Sequence, residues 1–302
     1  MTVWEEIKYK LFNSSSAVNQ LLLINILVFA TVSVFRLLLF FFNLSATAEE
    51  IINYLYVPGD IKLFVFRIWT PFTYQFMHTG IFHILFNMLM FYFMGSILFD
   101  FLGSRKVWIT YIGGGLVAAL VFLISYTVFP VFAAAKSLGY LVGASGSVMA
   151  VTAAAATLVP HYEIMLFGVF RMKLKWLALG LILIDIAGIP SGNPGGGIAH
   201  LGGAFFGMFY ILSIQGRVNN PFIKFFNNLN KIIPKNTKVD EKKIYREKVY
   251  SNSETKKANT HHSKRSGRPN QDEIDAILDK ISNSGYDSLT KEEKEILFRA
   301  SE

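Results

Sequence analysis

The sequence predicts an all-α membrane protein: a bundle of six transmembrane helices followed by a short cytoplasmic helical hairpin. Three observations predict it. The 302 residues are 52% hydrophobic and only 17% charged, and the apolar residues gather in long blocks over residues 1 to 216. Lys and Arg flank those blocks with a bias to alternate sides, as topology signals do. Beyond residue 216 the composition turns polar: residues 217–268 carry fourteen Lys/Arg against four Asp/Glu, and residues 269–302 carry four against nine. The chain contains no cysteine, which excludes disulfides, thiol nucleophiles and cysteine-liganded metal.

Residues 1–19 form the first predicted element, an interfacial helix with Val3, Trp4, Ile7, Leu11 and Phe12 at helical spacing and Lys8 and Lys10 opposite. The six-helix domain is placed at 20–215. Its first span, 20–43, measures about 36 Å if wholly helical, enough to cross a bilayer with tilt. Ala46-Thr47-Ala48 resembles a signal-peptidase site, but the preceding apolar run is too long for a cleaved leader, so the span is expected to be retained. The other spans are expected near 72–99, 106–129, 146–159, 174–190 and 197–215. The fourth is too short to cross a ~30 Å hydrocarbon core. Its alanines, with Thr152 and Thr157, suit a helix buried among others.

With the N-terminus inside, Lys8, Lys10, Arg105, Lys106, Arg171, Lys173, Lys175 and the basic tail are cytoplasmic, leaving Lys62, Arg67 and Lys136 as the external cations. This orientation puts Ser145 and His200 at one depth near the external face. A multi-pass protein of the bacterial inner membrane with both termini cytoplasmic is expected. The stretch 216–268 reads as a basic juxtamembrane segment and disordered linker, and 269–302 as the helical hairpin, with Thr290-Lys291-Glu292-Glu293 as a capping box. Too small to hold a core alone, the hairpin is expected to dock on a partner protein or to self-associate. The basic tail lacks the interleaved aromatics of a base-stacking platform, so no nucleic acid is expected.

The residues that carry chemistry lie at the mouths of the spans. Gly143-Ala144-Ser145-Gly146 opens the fourth, and His200 lies at the start of the sixth. Lipid tolerates a hydroxyl and an imidazole poorly unless they face the bundle interior, so the pair is a functional hypothesis by position. His83 and Asn87 share a helical face in the second span, with His78 five residues upstream as a supporting residue nearer the interface. A histidine N–H, an asparagine amide and the serine's own N–H suit an oxyanion. Gly143 and Gly146 let substrate backbone approach the serine, and Gly203 and Gly207 fall on the face of His200, where they let the sixth span pack closely on the fourth.

In order and spacing, these motifs over roughly residues 65 to 215 resemble the rhomboid family of intramembrane serine proteases. The resemblance implies a six-helix rhomboid-like bundle, a Ser145–His200 dyad without an acidic third member, an oxyanion hole from His83, Asn87 and the Ser145 backbone, and transmembrane segments of other proteins as substrates, with no cofactor and no metal. Many relatives have tyrosine four residues after the serine; here the position is Met149. Two other classes of membrane protein fit the sequence less well. A non-catalytic rhomboid-like chaperone generally lacks the serine or the histidine, and a transporter is disfavoured because the spans show no repeat and no paired acids for ion coupling beyond Asp185.

Overall fold

The computed structural model describes residues 16–137, 139–166, 170–190, 192–218, 280, 290, 292 and 293. By internal contacts the chain divides into two units, 1–245 and 246–302. In the first, the helices are α1 (Ala17–Phe41), α2 (Ser45–Asn53), α3 (Ile61–Val65), α4 (Thr70–Thr73), α5 (Ile81–Leu102), α6 (Ser104–Val128), α7 (Ser145–Leu158), α8 (Leu174–Gly188) and α9 (Pro194–Ile214). Two antiparallel strand pairs accompany them: β1 (Val57–Pro58) with β2 (Tyr140–Leu141), and β3 (Glu163–Leu166) with β4 (Phe170–Lys173).

Each of the six predicted spans corresponds to a helix, and four of these, α1, α5, α6 and α9, are long and apolar enough to cross a membrane. The chain is therefore an integral membrane protein. On α1, Leu27, Val34, Leu37, Leu38, Phe40 and Phe41 are each more than half exposed, a surface that only lipid makes favourable. The second span begins at Ile81, not near residue 72. Pro71 opens the short α4, a 3-10 turn spans Tyr74–Phe76, and Gly80 takes an extended conformation that caps the start of α5.

The fourth segment is the centre of the bundle. From Gly146 to Ala156 every residue of α7 is buried, among α5, α6, α8 and α9. Close approach there is made by glycine: a methyl group on Gly203 would fall on the carbonyl of Gly146, and one on Gly207 on the carbonyl of Ala150. The backbones of α9 and α7 are thus in direct contact, as the spacing from His200 predicts.

A buried polar chain fixes the Ser145 end of this centre. Asn25 of α1 donates to the Tyr111 hydroxyl (3.0 Å), Tyr111 donates to the Gln75 carbonyl (3.1 Å), and the Ser147 hydroxyl donates to Oε1 of Gln75 (2.9 Å). All four residues are fully buried, and a satisfied network of this kind specifies one arrangement of α1, α6, α7 and the loop before α5.

Arg36 of α1, an intramembrane cation by sequence, forms a two-pronged pair with Glu49 of α2 at 2.8 and 3.0 Å. In the second unit, Thr290 N donates to Glu293 Oε2 (2.8 Å) and Glu293 N donates to the Thr290 hydroxyl (3.2 Å), which is the expected capping box. Lys280 pairs with the same carboxylate at 2.8 Å. The predicted N-terminal interfacial helix lies outside the described residues except at its end, and so do the basic linker beyond Val218 and the rest of the hairpin.

Candidate active site

Ser145 is the first residue of α7, and the backbone before it explains its placement. Gly143 has φ +120°, a region that L side chains rarely adopt, and its N–H donates to the Tyr74 carbonyl at 3.0 Å. The chain thereby turns sharply from β2 into the helix. The first intrahelical bond runs from Val148 N to Ala144 O, and no side chain caps the helix. The amides of Ser145, Gly146 and Ser147 thus form the positive end of α7.

The missing side chain of Gly143 lets the His83 ring pack directly against this turn. A methyl group there would lie 2.7 Å from His83 Nε2 and 3.8 Å from Ser145 Oγ, so the imidazole and the hydroxyl border the same volume. His83 is held by its other nitrogen, Nδ1, which is 3.1 Å from the Thr79 hydroxyl. When that hydroxyl donates, the neutral ring carries its hydrogen on Nε2, the nitrogen facing Gly143. Asn87 is buried one turn further into α5 and donates one amide hydrogen to the His83 carbonyl at 2.8 Å. A second amide hydrogen remains on the same nitrogen.

His200 lies in the second turn of α9. The helix starts at Pro194, earlier than expected: the Asn193 side chain accepts from Gly196 N at 3.0 Å, so residues 194–197 are its first turn and not part of a loop. The carbonyl of Ala199 lies 3.8 Å from where a Gly146 methyl would be, so α9 touches α7 immediately beside Ser145. His83 and His200 are near enough for their charges to interact. Among the described residues no hydrogen bond joins Ser145 and His200, a separation common in sites without substrate.

Not every residue singled out by sequence joins this cluster. Met149 packs with Ala153 and Ala204 and against Leu181 and Ile182, filling the seam between α7, α8 and α9. His78 is only 2% exposed, and its ring meets that of His83 edge-on at 5.1 Å. Burial first, and the neighbouring His83 second, push the His78 imidazole from 6.5 down to about 4.

That shift has a consequence for stability. The unfolded chain binds a proton at His78 near pH 6.5 and the folded chain only near pH 4, so the fold loses stability as pH falls through that window. The full effect is on the order of 3 kcal/mol. Thermal unfolding in detergent is expected to show a shallower acid slope between those values in His78→Gln than in wild type. Equal slopes place the acid sensitivity elsewhere.

Sequence reasoning passed over one residue at the site. Asp185 of α8, noted only as an acid without a pair, has Oδ1 2.8 Å from His200 Nδ1. Its signal was present, since an isolated carboxylate in an apolar helix is costly unless something pairs with it. The partner itself, fifteen residues on and in another helix, was not legible.

A buried central helix that opens on a serine, with His83 of one flanking helix beside it and the stretch of another that carries His200 packed on the next residue, belongs to a known class of polytopic membrane protein. The Rhomboid domain family matches residues 65–216, half of the chain, and the chain belongs to that family. Over 166 residues it is 32% identical to presenilin-associated rhomboid-like protein A, mitochondrial, of Danio rerio. It is 27% identical to presenilin-associated rhomboid-like protein, mitochondrial, of Bos taurus, and 26% identical to that of Homo sapiens. These matches cover 53% of this chain and 42% of each relative. Residues 264–302 match a separate family of unknown function, DUF6576.

Proposed function

We propose that the chain is an intramembrane serine endopeptidase that cleaves transmembrane segments of membrane proteins. The observation that carries this reading is the approach of His83 Nε2 and Ser145 Oγ to the same point beside Gly143, next to the amide end of α7. A carbonyl carbon attacked by that hydroxyl turns its developing oxyanion toward these donors.

Ser145 Oγ attacks the scissile carbonyl and its proton passes to His200 Nε2. The resulting oxyanion is stabilised by His83, Asn87 and the Ser145 N–H. Collapse expels the amine, which takes the proton from His200, and water then hydrolyses the acyl-enzyme by the same route. The substrate helix must be locally unwound to present its carbonyl to Ser145, while the missing side chain of Gly146 serves the packing of α7 against Ala118 of α6.

The reading includes six passages of the chain through the membrane, with the short α7 and α8 and the segments that flank them completing the set, cytoplasmic termini, and a site that opens to the opposite face. In a bacterial inner membrane that face is external. Purified protein in detergent should cleave a labelled transmembrane substrate and gain one phosphonate adduct, at Ser145, by intact-mass spectrometry. Active protein with no adduct is incompatible with a serine nucleophile.

Orientation has its own test, made simple by the absence of native cysteine. An impermeant maleimide should label Ser191→Cys in intact cells and spare Ser301→Cys. The reverse pattern inverts the topology.

A further inference from the structure

The acid beside His200 sits on a different helix, and the packing there holds it in place. Asp185 lies in the last turn of α8, and a methyl group on Gly197 in the first turn of α9 would be 3.1 Å from the Asp185 carbonyl oxygen. Gly197 is three residues before His200 and on the same face of α9. The backbone of α9 therefore rests on the backbone of α8 at Asp185, and the carboxylate spans the remaining gap to the ring, 2.8 Å from Nδ1. Both side chains are mostly enclosed, at 24% exposure for His200 and 18% for Asp185.

We propose that Asp185 is the positioning residue for His200, making the site a serine–histidine–aspartate arrangement. The inference rests on the reading of Ser145 and His200 as nucleophile and base. Its chemistry follows from the inventory of donors. A carboxylate only accepts, so the neutral imidazole must carry its hydrogen on Nδ1 to bond it, which leaves the lone pair on Nε2. That lone pair is the one that takes the Ser145 proton. When the proton has moved, the imidazolium that forms faces a negative charge, and the same proton later leaves with the amine.

Position 149 strengthens the assignment. Met149 is spent on the seam with Leu181, Ile182 and Ala204, and among the described residues Asp185 is the one hydrogen-bond partner of His200. Orientation of the ring is therefore the task of the carboxylate, which acts along a directional bond where a thioether supplies only contact.

Asp185→Asn keeps the shape and removes the charge, and its amide can donate to Nδ1, which favours the tautomer with hydrogen on Nε2. In detergent with a labelled transmembrane substrate, kcat should fall by about 10²- to 10⁴-fold while KM stays within about twofold. The melting temperature should hold near wild type, and Asp185→Glu should recover at least about tenfold over Asp185→Asn, since it restores a carboxylate acceptor. Nitrogen NMR of the wild-type protein, with the His200 signal assigned by its loss in His200→Gln, should show a protonated Nδ1 and a bare Nε2.

A folded Asp185→Asn protein with wild-type kcat, beside an inactive Ser145→Ala, overturns the positioning role and leaves the protease reading intact. Equal cleavage by wild type and Ser145→Ala overturns the protease reading and this role with it. A His200 ring protonated on Nε2 and bare on Nδ1 overturns the positioning role without any activity measurement.

Discussion

Ser145→Ala is expected to abolish peptide-bond cleavage, with residual turnover at least about 10⁵-fold below wild type, and to leave the fold unchanged. The first part follows from chemistry: alanine offers no atom to form the acyl-enzyme, and no other hydroxyl replaces it. Ser147, the nearest serine in α7, is fully buried and donates to Gln75 at 2.9 Å. The barrier change is about 7 kcal/mol or more. The second part follows from packing. Among the described residues the Ser145 hydroxyl makes no hydrogen bond, so its removal strands no partner and opens little volume. Turnover of a labelled transmembrane substrate together with the melting temperature in detergent tests both parts. Cleavage by a folded Ser145→Ala protein at more than about a hundredth of the wild-type rate means that Ser145 is not the nucleophile.

Gly203→Val is expected to have the next largest effect, by a different route. A Cβ at Gly203 would coincide with the Gly146 carbonyl, which is backbone and cannot rotate away. Helix α9 must then lift from α7, and His200 and Ser145 are carried on those two helices, with Gly146 directly after the serine. A displacement of about 1 Å costs roughly 10²-fold in rate, and the valine branch adds further crowding, so a loss of about 10³-fold is expected. Stability should fall too, by about 3 kcal/mol, the upper end of what overpacked interiors typically lose, because the clash is with backbone. Gly203→Ala should fall between valine and wild type in both readouts. Wild-type turnover and melting temperature in Gly203→Ala would show that the helix contact is looser than the geometry describes. The same reasoning applied to Gly180 predicts no effect, because nothing lies within 4 Å of a methyl group there.

The two variants separate chemistry from placement, and they bear on how the site is built. Ser145 depends on the left-handed turn at Gly143 and on the polar chain Asn25–Tyr111–Gln75–Ser147, which ties the start of α7 to α1 and α6. His200 depends on the glycine contacts of α9 with α7 and on Asp185 of α8. The serine and the histidine are therefore positioned by separate parts of the bundle, which meet at Gly146 and Gly203.

Features that act over a few residues were legible in the sequence. The integral-membrane class follows from apolar runs long enough to cross a bilayer, and the shortness of the fourth segment follows from the distance between Gly146 and Pro160. Glycine at 203 and 207 announces close backbone approach because only a residue without Cβ permits it. The capping box at Thr290 and Glu293 is a local hydrogen-bond pattern and was readable for the same reason. Tertiary structure decided what depends on contacts between segments distant in sequence. It placed the start of α5 at Ile81, because the loop before it is pinned by Gln75 to Ser147 and Tyr111 rather than left to its hydropathy. It gave Met149 to the seam with α8 and put the His83 ring against Gly143. It also brought Asp185 to His200, which composition could mark as a costly charge but not match to a partner, since a lone carboxylate specifies only that a donor must be near and the packing of two helices specifies which.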